Sequence, residues 1–313
     1  MRLGLQVIRF DWEGNPQNTG SKIAEIAQIL DQGNFYSLWV MDHFFQMGDI
    51  FGDKDAPMLE GYTTLAYVAA LTKKIKIGTL VTGYIYRYPG ILVKSVSTLD
   101  VLSGGRAYLG IGAAWYEEEA KGLGAPFPSV STRFEQLEET LQIYHQMCRD
   151  DASPFEGKHF TLAQPINHPL PLQKPHPPIL IGSEGEKKGI RLVAKYADAC
   201  NFYFGAMLPE WGEWHYTRYQ ESIPHLQHKW SVLEGHCASF DRNPKEIEFT
   251  VLGTIKPTRN GDGNSLQELV DFFGKLNEIG VDHIIVNIPN AHEMEPLEIL
   301  AEDVMPVLEK MKN

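Results

Sequence analysis

The feature that most constrains this chain is its rhythm. Strand-like and helix-like segments alternate eight times between Leu3 and Lys312. The clearest unit runs from Lys74 to Trp115. An apolar run, Ile75 to Val81, leads to a helix that opens at Pro89 and stops at Ser103-Gly104-Gly105. A second apolar run, Ala107 to Ile111, follows. Proline suits a first helical turn because the N–H it lacks would be unpaired there anyway. Two parallel strands need a crossover of this kind, right-handed and covered by its helix.

The other strand-like runs are Leu3–Ile8, Tyr36–Met41, Pro178–Gly182, Ala199–Phe202, Ile247–Thr254 and Val281–Ile288. The other helical runs are 20–32, 61–73, 131–148, 186–196, 209–240, 266–279 and 296–312. Eight such units predict an α/β fold closed into a (β/α)8 TIM barrel. An open doubly wound sheet is the competing arrangement. Against it, no GxGxxG follows the first strand, and Gly110-Ile111-Gly112 lacks the third glycine. A barrel needs about 250 residues. The 313 residues present are therefore read as a single barrel domain spanning 1–313, with insertions near 150–177 and 204–240.

The first insertion is rich in Pro, His and Gly, carries a hairpin around Phe155–Phe160, and is expected to cover part of the site. The second is heavy in aromatic residues. Trp211, Trp214, Tyr216, Tyr219 and Trp230 either line an apolar pocket or pack as an outer helical layer.

The formal net charge of -12 argues against nucleic acid as a partner. No apolar run approaches the roughly 18 residues of a membrane span, so no membrane is expected. The segment Met1–Phe10 carries Arg2, Gln6 and Arg9 and is too short and polar for a signal peptide. Three widely spaced cysteines, no CxxC and no HExxH predict neither disulfides nor a metal, and a cytoplasmic setting.

Ligands of parallel α/β folds bind beyond the carboxyl ends of the strands. Four such ends are rich in chemistry: Asp42-His43-Phe44, Thr79-Leu80-Val81-Thr82, Gly112-Ala113-Ala114-Trp115 and Gly182-Ser183-Glu184-Gly185. Their small residues point to close backbone approach to something flat or anionic. His43 is placed to donate to a ligand oxygen or relay a proton, or else to pair with Asp42. Trp115 and Tyr116 either stack on a ring or form a lid. Glu117, Glu118 and Glu119 read as a solvated helix start with at most one reaching the site. The turn from Gly182 to Gly185 leads into a helix and either presents N–H groups to a phosphate or is an ordinary turn.

Taken in order, Met41-Asp42-His43-Phe44, Gly78-Thr79-Leu80-Val81-Thr82, Leu102–Arg106, Gly110–Trp115, Arg133–Glu138 and Pro178–Gly182 resemble the bacterial luciferase-like monooxygenase superfamily, specifically its deazaflavin-dependent branch. The resemblance is close from Leu3 to Phe202 and rests on rhythm alone beyond that. It implies a barrel whose mouth holds a flavin or deazaflavin ring over a bulge at the end of strand three, with a non-prolyl cis peptide at Leu80-Val81. It maps the family's Asp-His pair onto Asp42 and His43, and its phosphate turn onto Gly182–Gly185. Lys187, Lys188 and Arg191 would help hold an anionic tail, or form a solvated face. It also implies a homodimer through the helices flanking strands two and three. Two positions depart from the related sugar-phosphate dehydrogenases: Met47 stands where they carry tryptophan, and Trp115 where they carry the catalytic glutamate.

The resemblance thus implies an oxidoreductase passing hydride between coenzyme F420 and a small organic substrate. Asp42, His43 and Trp115 are the catalytic candidates. Thr79, Leu80, Val81, Thr82, Gly112, Ala113, Gly182, Ser183, Glu184 and Gly185 are the cofactor-binding candidates. The alternatives are a monooxygenase using reduced FMN and dioxygen, and a flavin-binding protein without catalysis.

Overall fold

A computed structural model describes residues 1–48, 52–204 and 216–311, with only the backbone described for 216–220. Trp211 and Trp214, and the side chains of Tyr216 and Tyr219, lie outside the described residues.

Eight parallel strands close on themselves. They are β1 (Arg2–Val7), β2 (Ser37–Val40), β3 (Lys76–Thr79), β4 (Ala107–Gly112), β5 (Ile179–Gly182), β6 (Ala199–Tyr203), β7 (Glu248–Thr254) and β8 (His283–Asn287). Each pairs with its neighbours in sequence, and β8 returns to β1 with Leu3 opposite Ile284 and Gln6 opposite Asn287. This is the (β/α)8 TIM barrel that the alternation predicts.

The strands are apolar on both faces because both are covered. Trp39, Tyr108, Leu180, Leu252 and Ile285 fill the inside of the ring. Leu3, Leu5, Leu38, Val40 and Ile77 point outward into the layer between strands and helices. The helix α1 (Thr19–Gln32) meets that layer with Ile23, Ile26, Ala27 and Leu30. Helices α2 (Gly61–Leu71) and α3 (Pro89–Ser103) follow β2 and β3. The stop after α3 takes the form the glycines suggest, with Gly104 at φ 72° and Gly105 at φ 85°.

The amino end of the barrel holds a polar layer. His283 lies 2.9 Å from Ser37 Oγ through Nε2 and 3.2 Å from Glu248 Oε1 through Nδ1. Trp39 Nε1 donates to Ser37 Oγ at 2.7 Å. An ideal Cβ at Gly4 would fall 2.0 Å from that Oγ, so only glycine fits.

Two expected elements differ in detail. Strand three stops at Thr79 and resumes at Thr82–Gly83, which pairs with Ile111 and Gly112. The last helix is interrupted: Glu295–Ile299 and Met305–Leu308 flank a π-helical turn, Leu300–Val304. Pro306 has no N–H to give the turn before it, which accounts for the slipped ladder.

The first insertion packs against the outer helices. Its strands Phe155–Glu156 and Thr161–Leu162 do form a hairpin. Glu139, on α5 (Val130–Cys148), accepts the N–H groups of Lys158 and Phe160 at 2.7 and 2.9 Å. Further on, Asp100 at the end of α3 accepts the N–H groups of Leu172 and Gln173 at 2.7 and 3.0 Å. The Gln173 amide also reaches Ala107 O at the start of β4. Two buried carboxylates thus fasten the segment to the outer helices, the hairpin at the N-terminal half of α5 with Leu162 beside Gly90, and Leu172-Gln173 at the amino end of the barrel, with these backbone donors satisfied.

In the second insertion, α7 (Tyr216–Ala238) runs along the outside. Trp230 stacks on Phe249 with centroids 4.6 Å apart and planes 17° apart, so this aromatic belongs to the outer layer. No helix among the described residues is long and apolar enough to cross a membrane.

Candidate active site

The break in β3 forms the floor of the barrel mouth. Its backbone runs through a cis peptide at Leu80-Val81, where the family resemblance implies one. The bulge is stitched from beneath. Thr79 Oγ1 lies 2.5 Å from Thr82 Oγ1, which is in turn 2.9 Å from the Tyr62 hydroxyl. Leu80 N–H donates to Val40 O at 2.8 Å, and the Gln6 amide donates to Leu80 O. Thr79 and Thr82 are fully buried, so their side chains hold the bulge and do not face a ligand. Val81 is half-buried and turns its methyls sideways.

The glycines around the bulge have a purpose the sequence reading did not foresee. An ideal Cβ at Gly110 would lie 1.9 Å from Thr79 O. At Gly112 it would meet Val81 Cγ2 at 2.9 Å, and at Gly182 it would meet Val81 Cγ1 at 3.1 Å. At these three positions the protein's own bulge makes the close approach.

Asp42 and His43 do not form a pair. Asp42 has no exposed side-chain surface and accepts both Arg87 Nη1 at 2.7 Å and Arg87 Nη2 at 2.9 Å. It also accepts Gly83 N–H at 3.2 Å, tying itself to the far side of the bulge. Arg87 bridges to Glu60, the N-cap of α2, and lies over the Tyr62 ring. Burial pushes the Asp42 carboxyl up, and Arg87 only partly offsets this. Through Arg87 and Gly83 N–H, Asp42 anchors the far side of the bulge.

His43 turns instead to Glu119, which lies on the short helix α4 (Glu117–Gly122), with Nδ1 3.1 Å from Oε1. The Glu119 carboxylate is completely buried and also accepts Phe44 N–H at 2.6 Å, Phe45 N–H at 2.9 Å and the Tyr86 hydroxyl. Burial alone would raise its pKa, but the donors outweigh it and hold the carboxyl below its ordinary value. Of the three glutamates in this run, this is the one that reaches the site. Glu117 and Glu118 are exposed and pair with Lys121 and Lys54.

Trp115 stands beside His43, edge to face at 5.7 Å, and stacks on Tyr116 at 5.2 Å. It keeps 54% of its surface exposed at the mouth, so it is not packed away as core. The turn that carries it is fixed by Arg133, which donates to Ala113 O at 3.0 Å, and Ala114 adopts φ 55°. Met47, by contrast, is buried with Ile8 and Met41.

The turn after β5 is an acidic knot. Glu184 accepts Tyr203 N–H at 2.9 Å and lies 3.1 Å from His225. Lys229 of α7 donates to Glu184 O at 2.8 Å and Glu186 Oε1 at 2.9 Å. Ser183 Oγ accepts Gly185 N–H at 3.2 Å. Lys188 reaches Ser131, and Arg191 lies over Phe240. These three cofactor-binding candidates, with Gly182, are brought near Val81 only through Gly182.

Among the described residues, the buried Asn287 Oδ1 has no hydrogen-bond partner. Asn287 ends β8 on the same pleat face as Ile285, which is inside the barrel.

The family model described as luciferase-like monooxygenase matches residues 5–221. The chain belongs to the luciferase-like monooxygenase family. An F420-dependent glucose-6-phosphate dehydrogenase of Kineococcus radiotolerans is 29% identical over 177 residues, 56% of this chain and 49% of that protein. The chain thus matches about half the length of this curated relative. Among solved structures, an F420-dependent secondary alcohol dehydrogenase bound to an F420–acetone adduct superposes with a TM-score of 0.75 at 17% identity, covering 98% of both chains. The F420-dependent tetrahydromethanopterin reductase of Methanopyrus kandleri gives 0.76 at 16% identity, covering 97% of this chain and 98% of that one. At such identities the likeness is one of fold.

Within this luciferase-like site, the sequence reading missed Arg87, Glu60, Tyr86, Gln6 and Asn287. Arg87 and Tyr86 follow the bulge by only a few residues, and their proximity to it was the available signal. Gln6 and Asn287 are polar residues in otherwise apolar strands, a pattern that marks a barrel interior turning toward its mouth.

Proposed function

We propose that this chain is an F420-dependent oxidoreductase that passes hydride between the deazaflavin and a small, uncharged organic substrate. The observation that carries the reading is the grouping of His43 and Trp115 at a mouth floored by the Val81 bulge. The residues fit a planar heterocycle with a polar edge. The bulge offers a backbone shelf, and the unpartnered Asn287 Oδ1 would take a ring N–H. Bound F420 supplies the carbon that accepts or gives hydride. The chain's own work is orientation, exclusion of water and proton handling. His43 takes the proton of a substrate hydroxyl as hydride leaves, or returns it in the reverse direction.

Trp115 argues for the substrate class. It places an exposed indole where the sugar-phosphate dehydrogenases resembled by this chain carry a carboxylate, and an apolar wall favours an uncharged substrate. The non-catalytic reading is not favoured, because the 150–177 segment is tied to the helices and the amino end of the barrel. The three cysteines are buried free thiols, in keeping with a reducing cytoplasm.

A homodimer completes the proposal. The outward residues of α2, namely Thr63, Ala66, Tyr67 and Ala70, carry no charge, and α3 exposes Ile91 at 63% and Leu102 at 69%. The uncharged outer face of α2 beside the exposed Ile91 and Leu102 of α3 suits a second copy of the chain.

Anaerobic titration tests the cofactor. Binding of F420 at micromolar concentration, with F420 reduced by an uncharged alcohol and not by a sugar phosphate, is expected. No binding at that level overturns the reading. Substrate-stimulated oxygen uptake with reduced FMN would replace it with the monooxygenase alternative.

A further inference from the structure

The Glu119 carboxylate is surrounded by donors. Phe44 and Phe45 N–H groups at 2.6 and 2.9 Å saturate Oε2, and the Tyr86 hydroxyl and His43 Nδ1 converge on Oε1. The two backbone donors belong to the residues directly after His43, so the carboxylate is registered against the same stretch of chain that carries the imidazole. With no exposed surface and a full set of donors, it stays ionised and has no proton to give. The hydrogen between Glu119 and His43 therefore sits on Nδ1.

We propose that Glu119 is the positioning residue for His43: it fixes the ring as the Nδ1-protonated tautomer and leaves Nε2 as the bare nitrogen for the substrate. In water a neutral histidine side chain favours the opposite tautomer, with the proton on Nε2. A ring in that form would present a donor where the oxidation of an alcohol needs a base. Asp42 does not compete for the ring, since Arg87 occupies both of its oxygens. Trp115 and Tyr116 flank the imidazole at 5.7 and 5.9 Å and limit its rotation. The proton path then balances simply. With F420 bound to supply the hydride acceptor, Nε2 would take the substrate hydroxyl proton, and the Glu119 carboxylate behind the ring would stabilise the imidazolium.

The catalytic part of this inference rests on the proposed oxidoreduction; the tautomer does not. Histidine labelled with 15N, with the His43 signals assigned by their loss in His43→Gln, reports which ring nitrogen is protonated at high pH without cofactor or substrate. The expected result is a protonated Nδ1 and a bare Nε2. In Glu119→Gln the side-chain NH2 faces Nδ1 and the tautomer reverses, with kcat falling at least tenfold and KM little changed. A wild-type ring protonated on Nε2 overturns the inference, and does so even if Glu119→Gln fails to fold. A folded Glu119→Gln protein with an unchanged tautomer also overturns it. If F420 does not bind while Nδ1 is protonated, the proposed function fails and the positioning of His43 stands.

Discussion

Val81 occupies the space that a side chain at Gly112 would need: an ideal Cβ there would lie 2.9 Å from Val81 Cγ2. Gly182 makes room for the other methyl at 3.1 Å. The replacement Gly112→Ala should push Val81 toward the mouth and tilt the shelf beneath the cofactor. Overpacking of this kind costs about 1–3 kcal/mol. We expect a folded protein with a lowered melting temperature and at least tenfold weaker F420 binding. Unchanged affinity in the titration would refute the role of the bulge as a shelf.

Arg87 neutralises a carboxyl that has no access to water. Replacing it by methionine leaves Asp42 buried without its partner, a loss of about 3–5 kcal/mol. The double variant Asp42→Asn with Arg87→Met should recover much of it. The pH dependence has a definite sign. Asp42 holds its proton more tightly in the folded protein than at its ordinary 3.8, since burial outweighs Arg87. Its contribution to stability is therefore full below 3.8 and lost as pH rises through the raised value. Without Arg87 that value climbs further. Urea unfolding should thus show the deficit of Arg87→Met widening from acid to neutral pH; a constant deficit would contradict this.

Two tryptophans in contrasting environments, Trp230 and Trp115, should separate stability from substrate handling. Trp230 stacks on Phe249 in the outer layer, so Trp230→Ala should cost about 3 kcal/mol and leave F420 affinity unchanged. Trp115 is 54% exposed, so Trp115→Ala should alter stability by about 0.5 kcal/mol or less. Its KM for an uncharged substrate should rise at least tenfold. Calorimetry and steady-state kinetics on the pair would expose a reversal.

The uncharged face of α2 gives a third contrast. Tyr67 is 44% exposed, its hydroxyl donating to Gly20 O. Tyr67→Glu should convert a dimer to a monomer in sedimentation velocity without unfolding it. A wild-type protein that sediments as a monomer would remove the dimer altogether.

Much of the barrel was legible because each strand is a short apolar run bounded by a helix of clear period, as Ala107–Gly112 and α3 illustrate. The four strand ends were legible for the same reason. What sequence could not tell was which neighbour each polar side chain would choose. Asp42 and His43 are adjacent in the chain, yet their side chains part, one to Arg87 and the other to Glu119. Glu119 looked like its two solvated neighbours, and only the helix phase separates it from them. The glycines at 110, 112 and 182 announced close approach, but not that the approaching atoms were the chain's own.

The polar layer at the amino end has a consequence for how this protein should be probed. Ser37, His283 and Glu248 reproduce the spacing of a hydrolase charge relay, at 2.9 and 3.2 Å. The serine is sealed, however, with no exposed surface, and its oxygen already engages the Trp39 indole. Organophosphorus reagents that label nucleophilic serines should leave the protein unmodified both folded and unfolded, because the unfolding that uncovers Ser37 also separates it from His283 and Glu248.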